Sequence, residues 1–148
     1  MDYEALRAGI SAAVPYNRHL GLALLEVGDG RAVVRLPADE RLHNHVGTQH
    51  AGGLFSAAEA ASGAAFIGGF AERLGEITPL VRGASVEYTA PARGAIDATA
   101  TLAEDASALL ERLDADGRVD FPVQIELADA DGKKVAAMTV TWNVRKNA

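Results

Sequence analysis

The chain contains no cysteine, which excludes thiolate nucleophiles, Cys-ligated zinc, iron–sulfur clusters and disulfides together. Basic residues are in the minority, with 14 Lys and Arg against 20 Asp and Glu and a formal charge of −6. That balance supplies no basic field for a phosphate backbone, so nucleic acid is not an expected partner. Long apolar runs are scarce as well. The N-terminal Met1-Asp2-Tyr3-Glu4-Ala5-Leu6-Arg7 has acids and no apolar core of the kind a secretory signal needs. The single extended apolar stretch, Ala51 to Ala71, is mostly Ala and Gly with Glu59 in its middle. It partitions poorly into hydrocarbon and reads as a buried helix rather than a membrane span. A small chain without cysteine or leader reads as cytoplasmic.

What is present fits one domain over residues 1–148. At 49% hydrophobic and 23% charged the composition is that of a globular protein, not of a disordered tail, a collagen-like fibre or a coiled coil. A chain of this length buries roughly 70% of the surface its unfolded form exposes, without help from metal or disulfide.

The apolar spacing of Leu6, Ile10 and Val14 predicts a short surface helix over Tyr3 to Val14, stopped by Pro15. Gly21 to Leu36 reads as two strands about the turn Gly28-Asp29-Gly30. Ala38 to Gln49 shows neither period and is predicted to be a loop. His50 to Leu74 is predicted to be a central helix, apolar nearly all round and built of small residues that let a sheet approach closely. After a turn at Gly75 to Pro79, strands follow at Leu80 to Ala90 and Ala95 to Leu102, then a helical insertion at Ala106 to Leu113. A last hairpin pairs Arg118 to Ala128 with Lys133 to Val144 around Asp129-Ala130-Asp131-Gly132. The expected architecture is α+β, a six-stranded antiparallel sheet packed on one long helix. A second copy would cover the helix face the sheet leaves bare and hide a sheet edge, so a homodimer is expected.

Chemistry concentrates in His43-Asn44-His45-Val46-Gly47-Thr48-Gln49-His50-Ala51-Gly52-Gly53 and in Glu59. Burying Glu59 among Ala57, Ala58, Ala60 and Ala61 is costly unless the carboxylate is paired, protonated or used. The free N–H groups of a helix start, around Ala51 and Gly52, suit a negative oxygen. An acyl carbonyl polarised there, with a carboxylate to activate water or attack directly, points to acyl transfer or hydrolysis. Ser56 and Ser62 lack a nucleophile-elbow setting. Gly47, Gly52 and Gly53 lack the Lys-Ser/Thr ending of a phosphate loop. His43 and His45 read as solvated loop residues, with no carboxylate companion in the loop to complete a zinc site; no metal is expected.

Asn44, then His50 followed by Ala51-Gly52-Gly53, then the acid Glu59 followed by Ala, Ser and Gly, resembles the active-site helix of hotdog-fold acyl-CoA thioesterases of the PaaI type. Asn17-Arg18-His19-Leu20-Gly21, Tyr88-Thr89-Ala90-Pro91-Ala92-Arg93-Gly94 and Asp131-Gly132-Lys133-Lys134-Val135-Ala136 extend the likeness over nearly the whole chain. The resemblance implies a curved sheet wrapped around the helix, dimerised or assembled as a dimer of dimers, with composite sites between subunits. It implies that Glu59 activates water or attacks the thioester and faces the loop and helix start of a second copy. The Ala51 N–H would bind the thioester oxygen, and Asn44 and His50 would orient water and substrate. Arg82 and Arg93 are the candidates for the phosphates of coenzyme A, which enters as part of the substrate and not as a cofactor. Thr78 and Ser85 are the candidates for a residue holding the water. Where the family commonly has Asp this chain has Glu59, and where it commonly has Gly after the histidine this chain has Ala51. Two other functions compete with thioester hydrolysis. A hotdog dehydratase or hydratase would pair a His with an acid to remove a proton beside a carbonyl, and a non-catalytic acyl-CoA-binding or ligand-sensing domain would need no buried acid.

Overall fold

The computed structural model describes Met1–Ala148 throughout. Its strands are β1 (Ala23–Gly28), β2 (Arg31–Leu36), β3 (Ile77–Tyr88), β4 (Ile96–Leu102), β5 (Arg118–Ala128) and β6 (Lys134–Lys146); its helices are α1 (Tyr3–Ala13), α2 (Pro15–His19), α3 (Ala51–Gly69) and α4 (Ala106–Asp116). The strands form one sheet in the order β1-β2-β4-β5-β6-β3, antiparallel at every step. Along β4, β5 and β6 buried and more exposed residues alternate, the two-residue period that turns one face of a sheet toward the core.

Helix α3 lies on that face, chiefly across β2, β4 and β5. Small residues bring it close. At Gly68 a Cβ would sit 1.9 Å from the Gly28 carbonyl oxygen, so only glycine fits there. Below the helix, Phe66 gathers Phe70, Phe121 and Trp142 at centroid distances of 5.3, 5.9 and 5.2 Å.

Beyond shifts of one or two residues at strand ends and a short 3-10 turn at Glu40–Leu42, element boundaries differ from expectation chiefly at four places. Pro15 does not simply end a helix; it opens a second one, α2, at the first helical position, where its missing N–H is not needed. The central helix stops at Gly69, and Ala71–Glu76 forms 3-10 turns. Strand β3 begins at Ile77 instead of after Pro79, because an edge strand tolerates proline. Helix α4 runs on to Asp116, where Gly117 closes it with φ of 73°.

The two sheet edges are treated unequally. At β1, helix α1 covers the edge and the Arg7 guanidinium donates to the Leu24 carbonyl at 3.2 Å, beside a bulge between Leu24 and Glu26. At β3 nothing covers the edge, and all eleven of its residues from Thr78 to Tyr88 are at least partly exposed, on both faces. Beside it, α3 leaves a stripe of Ala51, Phe55, Glu59, Gly63 and Ile67 outside the buried set, one residue per turn at i, i+4 spacing.

Candidate active site

The loop before α3 is built by Asn44. Its side-chain oxygen accepts from the Val46 and Thr48 N–H groups, each at 3.1 Å, and its amide nitrogen donates to Thr48 Oγ1 at 2.8 Å and to the Gln49 carbonyl at 3.4 Å. Gly47, at φ of 79°, makes the turn this closure requires. Gln49 is buried and ties the loop to its surroundings: Nε2 donates to the Pro37 and Gly94 carbonyls, both at 2.8 Å, and its backbone N–H donates to the Ala92 carbonyl.

His50 then caps α3. Its Nδ1 accepts from the Gly52 N–H at 2.8 Å, which requires the ring proton to sit on Nε2, turned outward as a donor. The Gly53 and Leu54 N–H groups reach the His50 carbonyl. Of the helix-start donors, Ala51 N–H is the one left free. The expectation of a donor pair at Ala51 and Gly52 therefore narrows to Ala51, because the cap consumes Gly52.

Two turns along, Glu59 is half-buried on the uncovered stripe. Desolvation pushes its carboxyl above the usual glutamate value, and no Lys or Arg faces it to oppose that. The indole of Trp142 lies under the next turn, donating from Nε1 to Ser62 Oγ at 3.0 Å, while that hydroxyl donates to the Glu59 carbonyl at 2.6 Å. Eight residues separate Glu59 from Ala51, about 12 Å along a helix axis.

A family described as a domain of unknown function, DUF4442, matches residues 3–144. The chain belongs to that family. A Pseudomonas aeruginosa protein of unknown function, described as a probable thioesterase, superposes with a TM-score of 0.85 at 25% identity, over 97% of this chain and 95% of the other. A Haemophilus influenzae thioesterase does so at 0.77 and 20% identity, over 99% and 92%. The Escherichia coli PaaI protein of the phenylacetic acid degradation operon gives 0.73 and 17% identity, over 95% and 90%. No curated protein matches the sequence. The six-stranded sheet wrapped on α3 is thus the hotdog fold of PaaI-like thioesterases.

In this DUF4442 hotdog the remaining candidates separate. Arg93 follows Ala92, whose carbonyl holds Gln49, so it lies on the loop beside the helix start. Arg82 does not join it: it sits in a bulge of β3 and pairs with Asp120 on the opposite, convex sheet face. Thr78 donates to Asn147 Oδ1 at 2.7 Å, and Ser85 is paired with Thr139 on the convex face, so neither faces Glu59 of its own protomer. His45 is exposed, and His43 bridges to Gln49 across the loop. No three acidic or histidine side chains converge as a metal site, and no helix is long and apolar enough to cross a membrane.

Two residues of the segments quoted from the sequence had no role assigned to them there. Tyr88, ending β3, donates from its hydroxyl to the Ala51 carbonyl at 3.2 Å and so walls the helix start. Gln49 anchors the loop. Neither carries a local signal beyond its side-chain type, since each acts on segments far away in sequence.

Proposed function

We propose that the protein hydrolyses acyl-CoA thioesters as a homodimer. The observation that carries this reading is a desolvated, unpaired carboxylate at Glu59 on the same uncovered helix stripe whose first residue, Ala51, presents a free N–H. A carboxylate raised toward neutrality is a better base than an exposed one. The probable thioesterase of P. aeruginosa, which is similar over nearly its whole length, supports the same chemistry.

Glu59 takes a proton from water as the water oxygen bonds to the thioester carbon. The carbonyl oxygen becomes an oxyanion held by an Ala51 N–H, with the outward Nε2–H of His50 as a further donor. Collapse breaks the C–S bond, and the proton on Glu59 passes to the departing sulfur, leaving free acid and coenzyme A. Direct attack by Glu59 would break the C–S bond, releasing coenzyme A as a thiolate that takes its proton from water, and would leave a mixed anhydride that water opens to the free acid and the Glu59 carboxylate. Asn44 is a positioning residue here, holding the loop that sets His50 and Ala51.

A carbonyl oxygen and the group attacking its carbon are about 3 Å apart, whereas Glu59 and Ala51 of one chain lie about 12 Å apart along the axis. A second copy removes the mismatch. Pairing the free β3 edges antiparallel sets two α3 helices antiparallel, so that Glu59 of one protomer approaches the partner's Ala51. It also covers Val81, at 43% exposure, and Phe55, at 38%. The 3′-phosphate and pyrophosphate of coenzyme A then lie near Arg93.

Thiol release from a panel of aliphatic and aromatic acyl-CoA esters tests the reading, with no background from a cysteine-free protein. Turnover of at least one ester is expected. Tight binding of acyl-CoA without release would instead make this a binding module.

A further inference from the structure

Arg118 and Arg145 stand directly opposite each other across the β5–β6 ladder. Their neighbours Val119 and Val144 are buried against the core, so by strand alternation both guanidinium groups project from the convex face, away from α3 and Glu59. Residues so opposed have Cβ atoms about 5 Å apart, and like charges there repel.

Most arginines of the chain sit on a carboxylate, as Arg31 does on Glu26, Arg35 on Asp97 and Arg73 on Glu76 and Asp114. Arg118 and Arg145 do not. The acid next along the ladder, Asp120, is committed to Arg82 and Asn143. Arg145 spends only its Nε, on Asn143 Oδ1 at 2.8 Å, which leaves its terminal nitrogens free. The pair opens onto a surface basin of about 660 Å³ bordered by Arg82, Arg112, Arg118 and Arg145 with Asp116 and Asp120. Arg82 is paired with Asp120 and Arg112 with Glu104, so Arg118 and Arg145 are left with Asp116 as the one remaining acid of the lining, which gives the basin an excess of one positive charge on a chain whose net charge is −6. Its size is that of small-molecule sites.

We propose that this basin binds a phosphate-bearing small molecule, with the phosphate bridging Arg118 and Arg145. Guanidinium nitrogens offer paired N–H donors that match phosphate oxygens, and a dianion neutralises the opposed cations. The phosphate is either free or one end of a nucleotide such as coenzyme A. The basin is on the sheet face opposite the catalytic stripe, so the inference does not rest on thioester hydrolysis.

Calorimetric titration at low salt with sodium pyrophosphate, and separately with coenzyme A, tests it on the full chain and on Arg118→Gln and Arg145→Gln. Pyrophosphate is expected to bind the wild type and to lose at least tenfold in affinity in either variant. Without ligand, both variants are expected to melt higher than wild type, because a repulsive pair is gone. Pyrophosphate should raise the wild-type Tm and leave theirs unmoved. If coenzyme A displaces pyrophosphate and weakens in the same variants, the phosphate belongs to the nucleotide; if it does neither while pyrophosphate still binds, the ligand is a free phosphate compound. No binding to wild type, or undiminished binding in both variants, overturns the proposal. So does the absence of a pyrophosphate signal alongside a salt-sensitive self-association that both variants abolish by light scattering, which would make the face a contact between copies.

Discussion

Ser62→Ala tests the link between the core and the turn that carries Glu59. Ser62 and Trp142 are 0% and 8% exposed, and the serine hydroxyl is the partner of the indole N–H at 3.0 Å. Removing it leaves that N–H buried without an acceptor, at a cost of about 1–3 kcal/mol, offset by about 0.5 kcal/mol from the better helix propensity of alanine. The expected net loss is about 1.5 kcal/mol, or roughly 3–6 °C in Tm for a chain of this size. Trp142→Phe removes the donor itself, so in that background Ser62→Ala no longer strands a polar group. The double variant is therefore expected to be about 1 kcal/mol more stable than the sum of the singles predicts, measured by urea unfolding at one fixed protomer concentration. Additivity to within about 0.3 kcal/mol would refute the reasoning and leave the 3.0 Å contact without energetic weight.

Gly68→Ala drives a methyl into the Gly28 carbonyl and should cost about 3 kcal/mol or more or abolish folding, read by circular dichroism and urea titration. Arg93→Ala should raise KM for acyl-CoA several-fold with kcat nearly unchanged, the mark of lost uniform binding, in steady-state thiol release. Val81→Asp, a partly exposed site in the protomer, should leave the fold intact by circular dichroism yet give a monomer without thioesterase activity by light scattering and assay; an active monomer would sink the shared site. Burial raises the Glu59 pKa in the folded state, so its stabilising contribution is full below the unfolded value and is lost as pH rises through the folded one. Glu59→Gln should accordingly be more stable than wild type at neutral pH, and the gap should close below the ordinary glutamate pKa, seen in unfolding curves at the two pH values.

The fold and the candidate site were legible where the signal is local. A run of Ala, Gly and Ser with one acid marks both a buried helix and a charge that needs a reason, and the hairpin turns and period-two strands follow from neighbouring residues. What was not legible depends on partners distant in the chain. Tyr88 reaches Ala51 across 37 positions, and Gln49 reaches Gly94 across 45. Likewise Pro79 reads as a turn until β3 is known to be an edge, and the Gly52 N–H reads as free until the His50 ring is placed on it. The opposition of Arg118 and Arg145 is set by register alone.

The central claim is that Glu59 does the chemistry of thioester cleavage, and Glu59→Gln addresses it most directly. The amide keeps the side chain's volume but can neither accept a proton nor attack a carbonyl. On the best acyl-CoA ester, kcat is expected to fall by about 10²-fold or more, equivalent to about 2.7 kcal/mol of transition-state stabilisation, with the fold, the dimer and acyl-CoA affinity retained. Asn44→Ala and His50→Ala are expected to cost less. Hydrolysis by Glu59→Gln at the wild-type rate would contradict the assignment.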